Sequence, residues 1–219
     1  MLVRSLFECL GNVMALTASR RAFVRFIADG YRNAWLQLQV QRETFGDRSD
    51  WREWLANMDL FLQIQADWAD LDRSSRTNPS KIVDWPSPYY LTRPYKLKGD
   101  RVDQPLLYGN RAELFEDARR LWYSVLSSYA HQRSAAAQMA VFANSPDDHE
   151  EPGGLESDVI SQAMLFYACI MSELQAASEM PPSTDLPVLW SLLWDIDEHA
   201  KRFVRIRYRK LLRLPPFGG

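Results

Sequence analysis

The stretch Ser19–Gly46, SRRAFVRFIADGYRNAWLQLQVQRETFG, decides the fold class of this chain. Its apolar side chains recur three and four residues apart, which is the spacing of one face of an α-helix. Ser19 is a residue type that caps the start of a helix, and Gly46 is a type that often follows its end. The stretch therefore predicts a helix whose apolar face consists of Ala22, Phe23, Phe26, Ile27, Ala34, Leu38 and Phe45.

A second long helix is predicted directly after this one. Ser49 or Asp50 can cap it, and the apolar residues that follow again have helical spacing. The break between the two helices is short, so residues 19–73 are predicted to form an antiparallel helical hairpin. We expect its core to pair two sets of side chains, Trp51, Trp54, Leu55, Met58 and Leu62 with Phe23, Phe26, Ile27 and Ala34.

Helical periodicity recurs in the rest of the chain. It predicts a short N-terminal helix interrupted at Gly11–Asn12, and further helices over residues 110–143, 155–178 and 185–214, with Thr184 or Asp185 capping the last. Residues 144–154 carry four acidic side chains among Pro and Gly, which predicts a solvated, mobile loop. The pattern predicts an all-α fold, an irregular bundle of five or six helices, in a single domain over residues 1–219.

Residues 74–110 do not follow this pattern. Five prolines exclude a long helix there, yet the segment is too rich in aromatic residues for a disordered linker. We therefore expect an ordered, extended excursion on the protein surface. Tyr, Trp and Arg dominate the energetics of protein interfaces, and five such residues cluster here as candidate partner-binding residues, Trp85, Tyr89, Tyr90, Arg93 and Tyr95.

A basic segment near the C-terminus is the second candidate site. The chain has 26 basic and 28 acidic residues, and the resulting net charge of −2 argues against a general polyanion binder. Seven bases nevertheless lie within residues 201–213, more than a helix dipole alone would favour. On one helix, four of them would form a row for phosphates, lipid head groups or an acidic partner: Arg202, Arg205, Arg209 and Arg213.

Catalytic signals are weak throughout the sequence. No phosphate-binding glycine loop, nucleophile elbow or zinc motif is present. Cys169 lies in an apolar run, which predicts a buried, inert thiol rather than a nucleophile. Two acidic groups could hold magnesium, although such acids more often pair with nearby bases: Asp67, Asp70 and Asp72, and Asp195, Glu198 and His199. We therefore predict no catalytic, cofactor-binding or metal-binding residues.

The composition also bears on location. Two cysteines do not make a disulfide framework, which favours a reducing, intracellular compartment. The longest apolar runs, residues 163–171 and 188–194, are shorter than the roughly 20 residues of a membrane-spanning helix, so no such segment is predicted. The first 28 residues carry four arginines against one glutamate, a composition typical of mitochondrial targeting. Mitochondria are therefore one predicted location, and the cytoplasm is the other.

Three functions follow from these observations. The favoured one is a non-catalytic helical interaction or accessory subunit of a larger protein assembly, whose partners are other subunits of that complex. The first alternative is a nucleic-acid-binding helical module that uses the basic C-terminal helix, which could equally meet anionic lipid. The second alternative is a metal-dependent all-α enzyme that uses the two acidic clusters.

Overall fold

A computed structural model of the chain describes residues 2–96, 102–120, 154–178 and 181–214. The fold is all-α, as predicted, and its helices within these ranges are α1 (Leu2–Ala18), α2 (Arg20–Phe45), α3 (Arg52–Trp68), α4 (Arg73–Thr77), α5 (Gly109–Ala118), α6 (Gly154–Ala177), α7 (Asp185–Ile196), α8 (Glu198–Phe203) and α9 (Arg209–Leu212). Two short strands, β1 (Tyr95–Lys96) and β2 (Val102–Asp103), pair antiparallel. Most of the predicted helix 110–143 and the loop 144–154 lie outside the described residues.

The chain divides into two compact units. The hairpin unit comprises residues 18–90 and 94–104, and the terminal unit comprises residues 1–17, 91–93 and 105–219. Each is described by itself below. The single domain over residues 1–219 stays a prediction.

The hairpin unit is built on α2 and α3. The Ser19 side chain accepts a hydrogen bond from the Ala22 N–H, so the predicted cap of α2 is confirmed. The start of α3 differs from the prediction: a 3-10 turn, Ser49–Trp51, precedes it, and neither Ser49 nor Asp50 caps it with a side-chain hydrogen bond. Instead, the Asp50 carboxylate pairs with Arg48.

The core of the hairpin contains five of the nine side chains predicted for it. Its buried residues are Ala28, Tyr31, Leu38, Leu62, Ala66, Ala69 and Ile82, and Ile27, Ala34, Leu55 and Met58 pack against them. Phe23 and Trp54, in contrast, are exposed. Trp51 stacks on Phe45 at the helix connection, with ring centroids 4.1 Å apart. The prediction was wrong for these side chains because both helices carry more apolar residues than their shared face can cover.

The excursion is shorter and less uniform than predicted. Its start is helical, because the Asp72 side chain accepts a hydrogen bond from Ser75 N–H and caps α4. Two 3-10 turns, Pro79–Lys81 and Pro88–Tyr90, follow before the β1–β2 pair. The prolines exclude a long helix, as expected, but this stretch can still form single turns and a small strand pair.

The terminal unit has an aromatic core. Phe7 of α1 stacks on Phe115 of α5 at 4.8 Å between centroids and lies 5.7 Å from Phe166 of α6. The interruption predicted at Gly11–Asn12 was wrong, because α1 runs unbroken through both residues. Gly11 serves close packing instead: a Cβ atom there would lie only 2.7 Å from side-chain atoms of Leu91 and Phe115.

The last predicted helix is not continuous. α7 ends at Ile196, and Asp197 caps α8 by accepting a hydrogen bond from the His199 N–H. A π-helical stretch, Val204–Tyr208, then joins α8 to α9, with the Arg209 N–H bonded to the Val204 carbonyl. Thr184 makes no capping hydrogen bond to α7, which corrects the predicted cap. An aspartate is a good capping residue, and Asp197 inside the predicted helix 185–214 is the signal in the sequence for this break.

Candidate functional site

The hairpin unit carries a cleft of about 830 Å³, which lies within the size range of ligand-binding pockets. We call it the aromatic cleft. Its lining comes from α2, from the Pro79–Lys81 turn with the chain that follows it, and from β1: Arg32, Leu36, Ser80, Lys81, Ile82, Val83, Asp84, Trp85, Pro86, Tyr95 and Lys96. It combines an apolar interior with charged side chains.

The two aromatic rings of the cleft are held by packing within the unit. Trp85 meets Phe26 edge to face, with centroids 5.2 Å apart. Tyr95 lies opposite Asp103 in the β1–β2 pair, and its hydroxyl donates a hydrogen bond of 3.1 Å to that carboxylate. The Arg25 guanidinium carbon is 5.3 Å from the centre of the Tyr95 ring. Burial raises the pKa of Tyr95, so the hydroxyl stays protonated and remains a donor at neutral pH.

Asp103 is the anchor of this arrangement. Its side chain is buried and accepts hydrogen bonds from Arg21 at 2.7 Å, from Arg25, and from the Gln104 N–H at 3.0 Å. Burial alone would raise the pKa of Asp103, but the Arg25 charge and the hydrogen bonds from Tyr95, Gln104 and Arg25 outweigh it and lower the pKa. The ionised carboxylate therefore ties the strand pair to α2 and fixes the position of Tyr95.

The charged part of the cleft contains both cations and carboxylates. Arg32, Lys81 and Lys96 face one lining carboxylate, Asp84, which pairs with Arg32. Arg32 also pairs with Asp29 at 2.9 Å. Lys81 Nζ donates to the Ser74 hydroxyl at 2.9 Å. Lys81 also lies near the Asp72 carboxylate, whose pKa its charge helps to lower.

Four of the five predicted partner-binding residues lie in this unit. Trp85 and Tyr95 line the cleft. Tyr89 and Tyr90 are 40% and 41% exposed and meet edge to face, and the Tyr90 ring lies 5.4 Å from that of Tyr95. Arg93 belongs to the terminal unit, where it pairs with Glu116 at 3.4 Å. Sequence reasoning missed Arg32, Lys81 and Lys96, since a single cation in a mixed stretch carries no distinctive signal.

The terminal unit contains a buried ionic cluster that the sequence did not reveal. Glu173 of α6 is fully buried and binds Arg207 through both carboxylate oxygens. Arg111 approaches the same carboxylate at 3.2 Å, and Asn110 accepts from Arg207 at 2.9 Å. Burial disfavours the charge on Arg207, yet the hydrogen bonds to Glu173 raise its pKa above the usual arginine value. Every side chain of the cluster is hydrogen-bonded or ion-paired with another member, so the cluster is a structural feature of this core.

The predicted basic row lies on the surface of the terminal unit. Arg202, Arg205, Arg209 and Arg213 are all exposed. Arg202 pairs with Asp117 at 2.5 Å, and the Arg205 guanidinium lies 5.5 Å from the Trp194 ring centre. Arg209 and Arg213 have no ion-pair partner among the described residues. Arg207, two positions from Arg205, instead turns inward to Glu173.

The acidic clusters have partners of their own. Asp67 pairs with Arg76 at 2.8 Å, Asp72 caps α4, and Glu198 pairs with Lys201 at 2.5 Å. Across residues 2–96, 102–120, 154–178 and 181–214, no three acidic, His or Cys side chains are grouped to hold a metal ion. Cys169 is buried as predicted, and burial raises the pKa of its thiol well above the usual cysteine value. A protonated thiol is a poor nucleophile.

One stretch of α6, Val159–Ala177, is long and apolar enough to cross a membrane by length and composition alone, with a mean hydropathy of 1.2. The core helices of many soluble proteins have the same composition, and this stretch holds the buried Glu173. Sequence reasoning missed it because polar residues interrupt its apolar runs.

In comparisons with known proteins, the chain matches no family model, no curated protein and no solved structure.

Proposed function

We propose that this chain is a non-catalytic interaction subunit of a larger protein assembly, and that it docks its partner on the aromatic cleft and the neighbouring tyrosine pair, Tyr89 and Tyr90. The observation that carries the proposal is the cleft itself, in which the half-buried Trp85 ring packs on Phe26 and the half-buried Tyr95 ring is held by its hydrogen bond to Asp103. Rigid aromatic anchors give large contact area at a low cost in conformational entropy.

The exposed tyrosines support the same proposal. Tyr89 and Tyr90 present two phenol rings to solvent beside the cleft. Tyrosine is enriched at the centres of interfaces because its ring is apolar while its hydroxyl can still bond to a partner. A surface with a fixed cleft and adjacent exposed rings has the chemistry of a docking site.

The test is co-purification of the tagged chain from its native cells. The variant Tyr89→Ala/Tyr90→Ala should lose the proteins that the original chain retains, because both rings are about 40% exposed and available to a partner. A control is Tyr108→Ala/Tyr167→Ala, which removes two tyrosines of the terminal unit that are even more exposed, at 61% and 51%. The control should keep the bound proteins.

The control measurement is the melting temperature of each purified variant by circular dichroism. If Tyr89→Ala/Tyr90→Ala retains all bound proteins while it folds normally, the proposal is wrong. If both double variants lose them equally, the tyrosine pair has no special part in binding.

A second candidate function rests on the exposed bases at the C-terminal end. Arg209, Lys210 and Arg213 are exposed and have no ion-pair partner within the described ranges, so they are available to an anion such as a nucleic-acid backbone. A labelled duplex oligonucleotide titrated at two ionic strengths tests this reading. Affinity that falls steeply with salt, and that Arg209→Glu/Lys210→Glu abolishes, would favour it.

A further inference from the structure

Helix α3 carries a second apolar row that the hairpin core does not use. Its first row belongs to that core, where Leu62 is buried and Leu55 and Met58 pack against it. The second row is shifted by one residue, and all of its side chains are exposed: Trp54, Asn57, Phe61, Ile64 and Trp68. We call this row the outer seam. Its spacing alternates between three and four residues, which is the pattern by which one helix packs along another.

The outer seam exposes enough apolar surface for a stable interface. The exposed fractions are 38% for Trp54, 56% for the adjoining Leu60, 45% for Phe61, 41% for Ile64 and 63% for Trp68. Large apolar side chains each have about 150–250 Å² to bury, so these five present roughly 450 Å². A standard interface takes about 800 Å² from each partner, of which roughly 60% is apolar. The seam alone therefore supplies nearly all of the apolar surface that one partner needs.

The charges on α3 disfavour a membrane as the surface that covers the seam. The helix has one base, Arg52, against three acids. The pairs of Asp59 with Arg42 and of Asp67 with Arg76 leave no excess of positive charge. Helices that lie on membranes have a basic polar face instead, because they meet anionic lipid. The seam itself carries no charge, as is typical of the centre of a protein interface.

The order of residues along the seam favours a second copy of the same chain. Phe61 is the centre, and Trp54 and Trp68 lie seven residues before and after it, which is about 10 Å along the helix in each direction. A twofold axis beside Phe61 therefore brings ring against ring at the centre and at both ends, whether the two helices run parallel or antiparallel. Self-complementarity of this kind is what the interface of a twofold-symmetric dimer requires.

We infer that two copies of this chain associate through the outer seam of α3, with Phe61 of each copy at the twofold axis. The described lining of the aromatic cleft contains no residue of α3, so this interface goes beyond the proposed function and does not depend on it. Association removes the exposed ring surface of Trp54, Phe61 and Trp68 from water, and this burial of apolar surface drives it.

Sedimentation velocity of the purified full chain tests this inference. The chain should form a dimer within a concentration series up to about 100 µM, because interfaces of this size have micromolar or tighter affinity. Phe61→Glu should weaken the dimer by at least about 100-fold, since two like charges would meet at the axis. Leu192→Glu is the control, because it introduces the same charge at a position of α7 that is 56% exposed, and it should leave the dimer intact.

Chemical crosslinking then locates the contact. In a Cys9→Ser background, the one native thiol left is the buried Cys169. Phe61→Cys should give a covalent dimer with a short bismaleimide reagent. Gln63→Cys should not, because Gln63 is exposed on the opposite side of α3. Circular dichroism of each variant checks that its helices are intact.

The outcomes are distinct. A chain that stays monomeric over the whole concentration series overturns the inference, and so does a dimer that both glutamate variants weaken equally or that Phe61→Glu leaves unchanged. Equal crosslinking of Gln63→Cys and Phe61→Cys would also overturn it. Tyr89→Ala/Tyr90→Ala should dimerise as the original chain does. If that variant is monomeric, the copies meet at the aromatic cleft and the inference is wrong.

Discussion

Removal of the buried carboxylate of Glu173 should unfold the terminal unit more readily than any other single charge change in the described part of the chain. In Glu173→Ala, Arg207 keeps its charge in a buried position and loses both of its carboxylate bonds. Arg111 loses the same partner but is partly exposed, so water can solvate it. The dominant effect is therefore the uncompensated charge of Arg207.

The size of the effect follows from this geometry. Breaking a buried ion pair by removing one partner costs about 3–5 kcal/mol. A typical domain has a free energy of unfolding of only about 5–15 kcal/mol, so the variant should retain a minor part of its stability. The double variant Glu173→Leu/Arg207→Met removes both charges and should recover most of the loss, because an apolar pair of similar volume needs no solvation.

Urea denaturation of the full chain, followed by near-ultraviolet circular dichroism, measures this change. Trp190 lies in the same core and stacks on Tyr208, so the aromatic signal reports on the terminal unit. Glu198→Ala is the control, because Glu198 is exposed and its pair with Lys201 should contribute nothing measurable. A loss below about 1 kcal/mol for Glu173→Ala would refute the reasoning, as would a double variant that is no more stable than the single one.

Three further predictions concern other sites. An aromatic disulfide reagent should label the exposed Cys9 in the native chain and reach Cys169 only after unfolding, because burial raises the pKa of that thiol. Gly11→Ala should lower the free energy of unfolding by about 1–3 kcal/mol in urea, since the added Cβ would crowd Leu91 and Phe115. The pKa of Asp103 is lowered by folding, so its stabilising contribution is present at neutral pH and is lost as the pH falls below about 4. Asp103→Asn should lower the melting temperature at neutral pH and flatten that acid dependence.

Sequence reasoning succeeded where neighbours in the chain decide the structure. The Ser19 cap, the helix from Arg20 to Phe45 and the connection to α3 depend on residues within a few positions of one another. The same holds for the exclusion of a long helix by the prolines of 74–110. The sequence predicted only that Trp85 and Tyr95 belong to one cluster of aromatic residues. It could not predict the cleft, because the other wall of the cleft comes from α2.

The sequence by itself determined the all-α class, the helix periodicity and the identity of most aromatic residues at the candidate site. Only the tertiary structure decided which face of each helix is covered, and it left Phe23 and Trp54 exposed while burying Leu62. It also decided that Arg207 is buried while Arg205 is exposed, because the Glu173 carboxylate that binds Arg207 lies 34 residues away in the chain. A local pattern records how often apolar and charged residues recur. It does not show which distant carboxylate or ring each of these residues will contact in the folded chain.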